Sequence, residues 1–169
     1  MVTNFKSKRS AKIDRALRRE KAKNAEDRNK AKVRARDKAC RFPFCGCKRF
    51  RLALHVSHQE HKGMGGNPTG DRSQTAGMMF LCSARHRENH MSVDQHNIEW
   101  RQLSLDGADG PVAWYVRVAE LPEDLRPAGW NPETGDPWLE VARERDNRIY
   151  DPLTPAQRDI LAHLSKMMD

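Results

Sequence analysis

Residues 54–90 read LHVSHQEHKGMGGNPTGDRSQTAGMMFLCSARHRENH and hold five of the chain's seven histidines. A strand-like run, Arg51 to Ser57, ends at His58. A glycine-rich loop follows, and a second apolar run occupies Met78 to Leu81. His86 and His90 come next, four residues apart. On a helix that spacing puts both imidazoles on one face, one turn apart, where they can share a metal ion. The stretch therefore predicts strand, loop, strand, helix, with the helix holding a divalent metal. His58 is delivered from the first strand as a third, non-equivalent histidine.

Upstream of this unit, residues 38–48 read KACRFPFCGCK. The Cys40-x4-Cys45 pair, with Pro43 and Gly46, looks like a knuckle that lets thiolates converge on zinc. Cys82 lies where the second strand meets the helix and suits a distal ligand. Cys47 is the one cysteine left for a fourth. Four thiolates make a closed structural site, which would stabilise a unit with a small core. The plainer alternative is that Cys45 and Cys47 are buried or free thiols. The sequence shows no leader-like apolar segment and no run of membrane-spanning length, so the expectation is a soluble, cytoplasmic protein with no membrane partner. In that reducing setting a cysteine cluster points to zinc rather than to disulfides.

Charge divides the chain. Residues 1–38 hold 15 Lys and Arg against 5 Asp and Glu, a net of +10, while residues 39–169 sum to −2. A basic arm is thus joined to a nearly neutral body, and a polyanionic partner follows, nucleic acid first. From Ser10 to Arg36 the arm is rich in Ala, Lys, Arg and Glu, all good helix formers. Its apolar residues are too few to define a buried stripe. It reads as a solvated helix or a flexible arm that can also track phosphates, with Arg15, Arg18, Arg19, Lys32, Arg34 and Arg36 as the contacting cations. Hydrophobic residues make up 37% of the chain and charged residues 32%, which keeps the core small for 169 residues.

Downstream, Ile98–Leu105 and Val112–Val118 are joined by a turn-rich DGADG. Val112, Trp114, Val116 and Val118 alternate as on a strand with one buried face, so the pair predicts a β-hairpin. Residues 121–137 carry four prolines and read as loop. Asp136-Pro137 opens a short helix to about Arg148. Thr154-Pro155 opens another, with Ile160, Leu161, Leu164, Met167 and Met168 on one face. His96 and His163 read as ordinary surface or boundary residues. Three segments result: a basic helical arm at 1–37, a metal-binding unit at 38–105, and a hairpin strand, loop and helical extension at 106–169. The class is α+β.

From Cys40 to His90 the chain resembles the HNH endonuclease family, the ββα-metal nucleases. His58-x6-Gly65-Gly66 is similar to the family's catalytic histidine and loop glycines. Phe80-Leu81-Cys82-x3-His86-x3-His90 is similar to its second strand and metal-binding helix. The string HQEHKGMGGNPTGDRS resembles small HNH proteins of phage and prophage, which implies a bacterial host or a phage-encoded protein. The resemblance implies a ββα-metal core supported by a zinc knuckle, and hydrolysis of phosphodiester bonds, in DNA ahead of RNA, with one divalent cation (Mg, Mn, Ni or Zn). It makes His58 the general base, a role suited to an imidazole that is mostly neutral near pH 7. His86 and His90 hold the cation, and Arg85 adds positive charge for a phosphate oxygen.

Two positions depart from the family's pattern. Ser57 stands where a metal-binding Asp or His precedes the base, and Gly77 stands where the middle asparagine falls. His55, on the same strand face as Ser57, and His61, in the loop, are the two candidates for the missing ligand. Arg85 occupies the place of a second zinc cysteine, which directs attention to Cys47. The competing reading is a zinc-stabilised nucleic-acid-binding module that kept the fold and lost cleavage. A zinc ribbon that binds other proteins would leave the basic arm unexplained. HKGMGG has no Gly-Lys-Ser/Thr after it, which argues against a nucleotide-binding P-loop.

Overall fold

The computed structural model describes residues 8–48, 52–58, 75–146 and 149–167, with the side chains of Lys8, Arg9 and His58 left out. His61, Gly65 and Gly66 lie outside the described residues. The class is α+β, with two antiparallel sheets and helices. Among the described residues no helix is long and apolar enough to cross a membrane.

Helix α1 (Lys8–Asp37) is a single 30-residue rod. Its composition favours helix at nearly every position, and most of its side chains face solvent. Its C-terminal end docks, where Val33 is buried against Met78 and Phe80. Asp37, buried beside it, accepts the Phe80 backbone N–H at 2.9 Å. Arg36 ties this end down. Its guanidinium donates to the carbonyls of Thr75 (3.0 Å) and Met78 (2.7 Å) and to the carboxylate of Asp109 (2.6 Å).

Strands β1 (Leu54–His58) and β2 (Met78–Cys82) form the smaller sheet, with His55 opposite Leu81 and Ser57 opposite Met79. All five β2 residues are buried, which fits a strand covered by α1 on one side and the main core on the other. Ala84–Glu88 then makes one wide turn, closed by Asn89 N–H to Ala84 C=O at 3.3 Å, a π-type bond across five residues.

The larger sheet has the order β3-β4-β5-β6, from β3 (Ile98–Gln102), β4 (Val112–Arg117), β5 (Trp138–Asp146) and β6 (Ile149–Tyr150). The expected hairpin is β3–β4, with Trp100 opposite Trp114. Its turn passes so close to Ala76 that a Cβ on Gly107 (φ +61°) would sit 2.6 Å from that residue's carbonyl oxygen, so only glycine fits there. The hairpin spans the expected segment boundary at 105/106, and one core cluster runs from Phe42 to Leu164. Helix α2 (Pro155–Lys166) starts as predicted. Thr154 and Gln157 form a reciprocal capping box, and Ile160, Leu161 and Leu164 are buried.

One expected helix is a strand. Residues 138–146 form β5, paired with β4 through 138–143 and with β6 beyond, where a helix from Asp136-Pro137 was expected. A register shift places both Val141 and Ala142 inside, breaking the period-two pattern that marks a strand. Glu144 also points inward, 2% exposed, where a strand pattern calls for an apolar residue. Arg41 compensates it, with bonds of 3.1 and 2.7 Å, and also donates to the carbonyls of Ala108 and Gly110.

Candidate functional site

The four cysteines converge. Cys40 follows the end of α1, Cys45 and Cys47 lie on the knuckle, and Cys82 ends β2. Their Sγ atoms all lie within 4.8 Å of one another. Cys45 Sγ and Cys82 Sγ are 3.7 Å apart. That is far beyond a disulfide bond of about 2.05 Å. It is close to the edge of a tetrahedron with Zn–S bonds of about 2.3 Å, about 3.8 Å. The donor set therefore fits a metal ion such as zinc, and among the described residues it is the one group of three or more such ligands drawn together.

The cluster also supplies thiolate character. A hydrogen bond from Cys40 is the main cause holding Cys45 down to about 2, and Cys40 lowers Cys47 as well. The Cys40 thiol itself is driven far above the ordinary thiol range by its bonds to Cys45, Cys47 and Cys82 and by burial. Cys82 is pulled down by Cys40, but Cys45 and burial push it up to about 12. Hydrogen bonding among the sulfurs thus favours the thiolate form at Cys45 and Cys47, the form that metals bind.

The histidines are arranged differently from the expectation. His86 lies in the wide turn, but His90 does not share a helix face with it. The helical path ends at Asn89, whose backbone is extended (ψ 150°). Asn89 is captured on both sides: its Nδ2 donates to the Met167 carbonyl, and its Oδ1 accepts the Met91 N–H at 2.9 Å. The chain then folds back, with Val93 N–H on Arg85 C=O and Asp94 N–H on His86 C=O, both 2.9 Å. His90, 58% exposed, is left beside Glu120 at 2.6 Å.

His86 meets two other groups instead. The His55 ring, on β1, lies 5.8 Å away between centres at an angle of 42°. The Asp94 carboxylate lies 3.6 Å from His86 Nε2. Imidazoles sharing one cation at about 2.1 Å have ring centres roughly 5–6 Å apart, so the His55–His86 spacing suits a shared ion. Ser57, on the same strand face as His55, is buried, and its hydroxyl has no hydrogen-bond partner among the described residues. Gly77 closes the short turn 75–77 before β2. The His58 backbone pairs with Met78 at the end of β1, while its side chain lies outside the described residues, as does His61.

Two expected cations are structural. Arg85 is 1% exposed. Its Nη1 donates to Met91 C=O at 3.1 Å, its Nη2 donates to Leu164 C=O, and its guanidinium lies 5.0 Å from the Phe42 ring centre. It holds α2 to the histidine-bearing turn and presents nothing to a phosphate. Arg36 likewise anchors α1, through Thr75, Met78 and Asp109, rather than facing a ligand. Arg15, Arg18, Arg19, Lys32 and Arg34 are exposed.

Asp94 and Glu120 were not legible as neighbours of the histidines. Asp94 reaches His86 through the chain reversal after Asn89, and Glu120 comes from beyond β4. No family model matches the chain, and no curated protein or solved structure matches it.

Proposed function

We propose that the protein is a metal-dependent endonuclease of HNH type that hydrolyses phosphodiester bonds in DNA. The observation that carries this reading is the approach of His55 on β1 to His86 in the turn after β2, backed by the four-cysteine cluster. A two-strand-and-turn unit that brings two imidazoles within reach of one cation supports a single catalytic metal there. His55 takes the place of the ligand missing at Ser57, and Asp94 orients His86 from behind.

A divalent ion held there would polarise the phosphate and stabilise the departing oxyanion. His58 takes the proton from the attacking water as its oxygen bonds to phosphorus and the opposite P–O bond breaks. The cysteines hold a structural zinc that keeps the knuckle, β2 and the turn in register. The exposed arginines of α1 supply affinity that depends little on sequence.

The second reading, a binding module without cleavage, draws support from the same region. Arg85 is buried and His90 is engaged by Glu120, so two groups the resemblance assigns to chemistry are placed elsewhere. Plasmid cleavage separates the two. Supercoiled DNA is incubated with the protein in EDTA, Mg, Mn, Ni and Zn, beside His55→Ala, His58→Ala and His86→Ala of equal zinc content. Metal-dependent nicking, reduced about 100-fold or more in His58→Ala, supports the nuclease. A wild-type protein that cuts in no metal yet retards DNA on a gel supports the binding module.

A further inference from the structure

We propose that a groove between the cysteine knuckle and α2 binds an unpaired nucleotide of single-stranded nucleic acid, by stacking on Phe44 with Arg158 at its phosphate. The groove has a volume of about 720 Å³ and is lined by Phe44, Tyr150, Pro152, Leu153, Arg158 and Leu161 among others. That size lies within the range of small-ligand sites.

Phe44 is the unusual residue. It is 61% exposed, and its backbone sits at φ +52°, the left-handed region that a bulky side chain rarely adopts. A large ring held in solvent on a strained backbone is costly twice over, through apolar exposure and through the dihedral. The neighbours explain how the position is enforced. Pro43 is buried before it, and Cys45 is committed to the sulfur cluster after it. Neither needs the Phe44 ring, whose contact is with Tyr150, 5.5 Å between centres at 42°. Tyr150 is fixed in turn by its hydroxyl, which donates to the Arg41 carbonyl at 3.2 Å. One aromatic face is therefore braced from behind and open in front.

Charge selects the occupant. Arg158 is exposed, and its guanidinium donates to the Leu153 carbonyl, with no carboxylate partner among the described residues. The acid on the rim, Asp151, is paired with Arg145 at 3.0 Å. An aromatic platform beside an uncompensated guanidinium is the combination that holds single strands. The base supplies a π face, and the phosphate supplies the charge. A neutral or basic peptide would leave Arg158 unanswered. The platform faces solvent independently of α1 and does not require the protein to cleave, although it does rest on nucleic acid being the partner.

The test uses the full zinc-loaded chain and an oligothymidylate of about twelve nucleotides carrying one 5-iodouracil. Photocrosslinked peptides are mapped by mass spectrometry, and affinity is followed by anisotropy for the single strand and for a duplex of equal length. Crosslinks are expected at Phe44 or Tyr150. Phe44→Gly, which suits the positive φ, is expected to lose roughly tenfold in single-strand affinity and little for the duplex. Arg158→Gln, on the opposite wall and away from the cysteines, is expected to lower the salt slope by about one.

Crosslinks confined to α1, with both variants binding single strands like wild type, would overturn the assignment while leaving the basic arm as a DNA contact. No binding of either nucleic acid would remove the partner class itself. A dimer that dissociates in Phe44→Gly, or a peptide that binds wild type and not this variant, would assign the groove to protein instead. Melting and zinc content of Phe44→Gly are checked first, and Arg158→Gln decides if that variant loses zinc.

Discussion

Arg41 and Glu144 are buried together, and their value lies in being a pair. Removing one partner leaves a buried charge alone, which costs about 3–5 kcal/mol, whereas replacing both by apolar residues is often close to neutral. Arg41→Met is therefore expected to destabilise by about that amount in urea unfolding, and Arg41→Met with Glu144→Leu to recover most of it. A double variant as weak as the single one would show that Asp37, 3.7 Å away, and the carbonyls of Ala108 and Gly110, not Glu144, are what Arg41 serves. Arg85 differs because it has carbonyl partners and an aromatic ring rather than a carboxylate. Arg85→Gln should lower unfolding free energy by about 2 kcal/mol, since a carbonyl is left without its donor in the core. Both arginines look the same as their surface counterparts in the sequence, because nothing local separates a core cation from one that meets a phosphate.

Helix α1 carries two kinds of arginine, and experiment can divide them. Changing Arg15, Arg18 and Arg19 together to Gln should reduce the slope of log affinity for duplex DNA against log salt by about two to three. Thermal stability should stay near wild type, because these side chains are exposed. Arg36→Gln should do the reverse, speeding amide exchange at residues 33–37 while leaving the slope unchanged. An unchanged slope in the triple variant would rule these three out as phosphate contacts. The helix itself was legible because almost every residue favours it, and α2 was legible from its cap and apolar stripe. Strand β5 was not. Its Leu, Glu, Ala and Arg content reads as helix, and the shift at Val141–Ala142 with the inward Glu144 hides the alternation. The turn carrying His86 was legible as helical, but its end was not, because Asn89 is drawn away by Met167 and Met91.

Across the whole molecule the sulfur cluster adds a cross-link between the end of α1, the knuckle and the junction of β2 with the histidine turn. Withdrawing the metal with a strong chelator should lower the melting temperature by roughly 10 °C or more, and Cys82→Ser should do the same without chelator. Melting that ignores both would mean the cluster carries no metal in the folded protein. The basic arm, the hairpin and α2 were determined by the sequence alone, since each rests on local composition, periodicity or a cap. Only tertiary structure decided that His55 rather than His90 faces His86, that Arg85 and Arg36 are anchors, that Glu144 lies inside, and that Phe44 stands beside Tyr150. Each of these is a meeting between residues far apart in the chain. Spacing along one element cannot report such meetings, because they depend on how sheet, turn and helix pack.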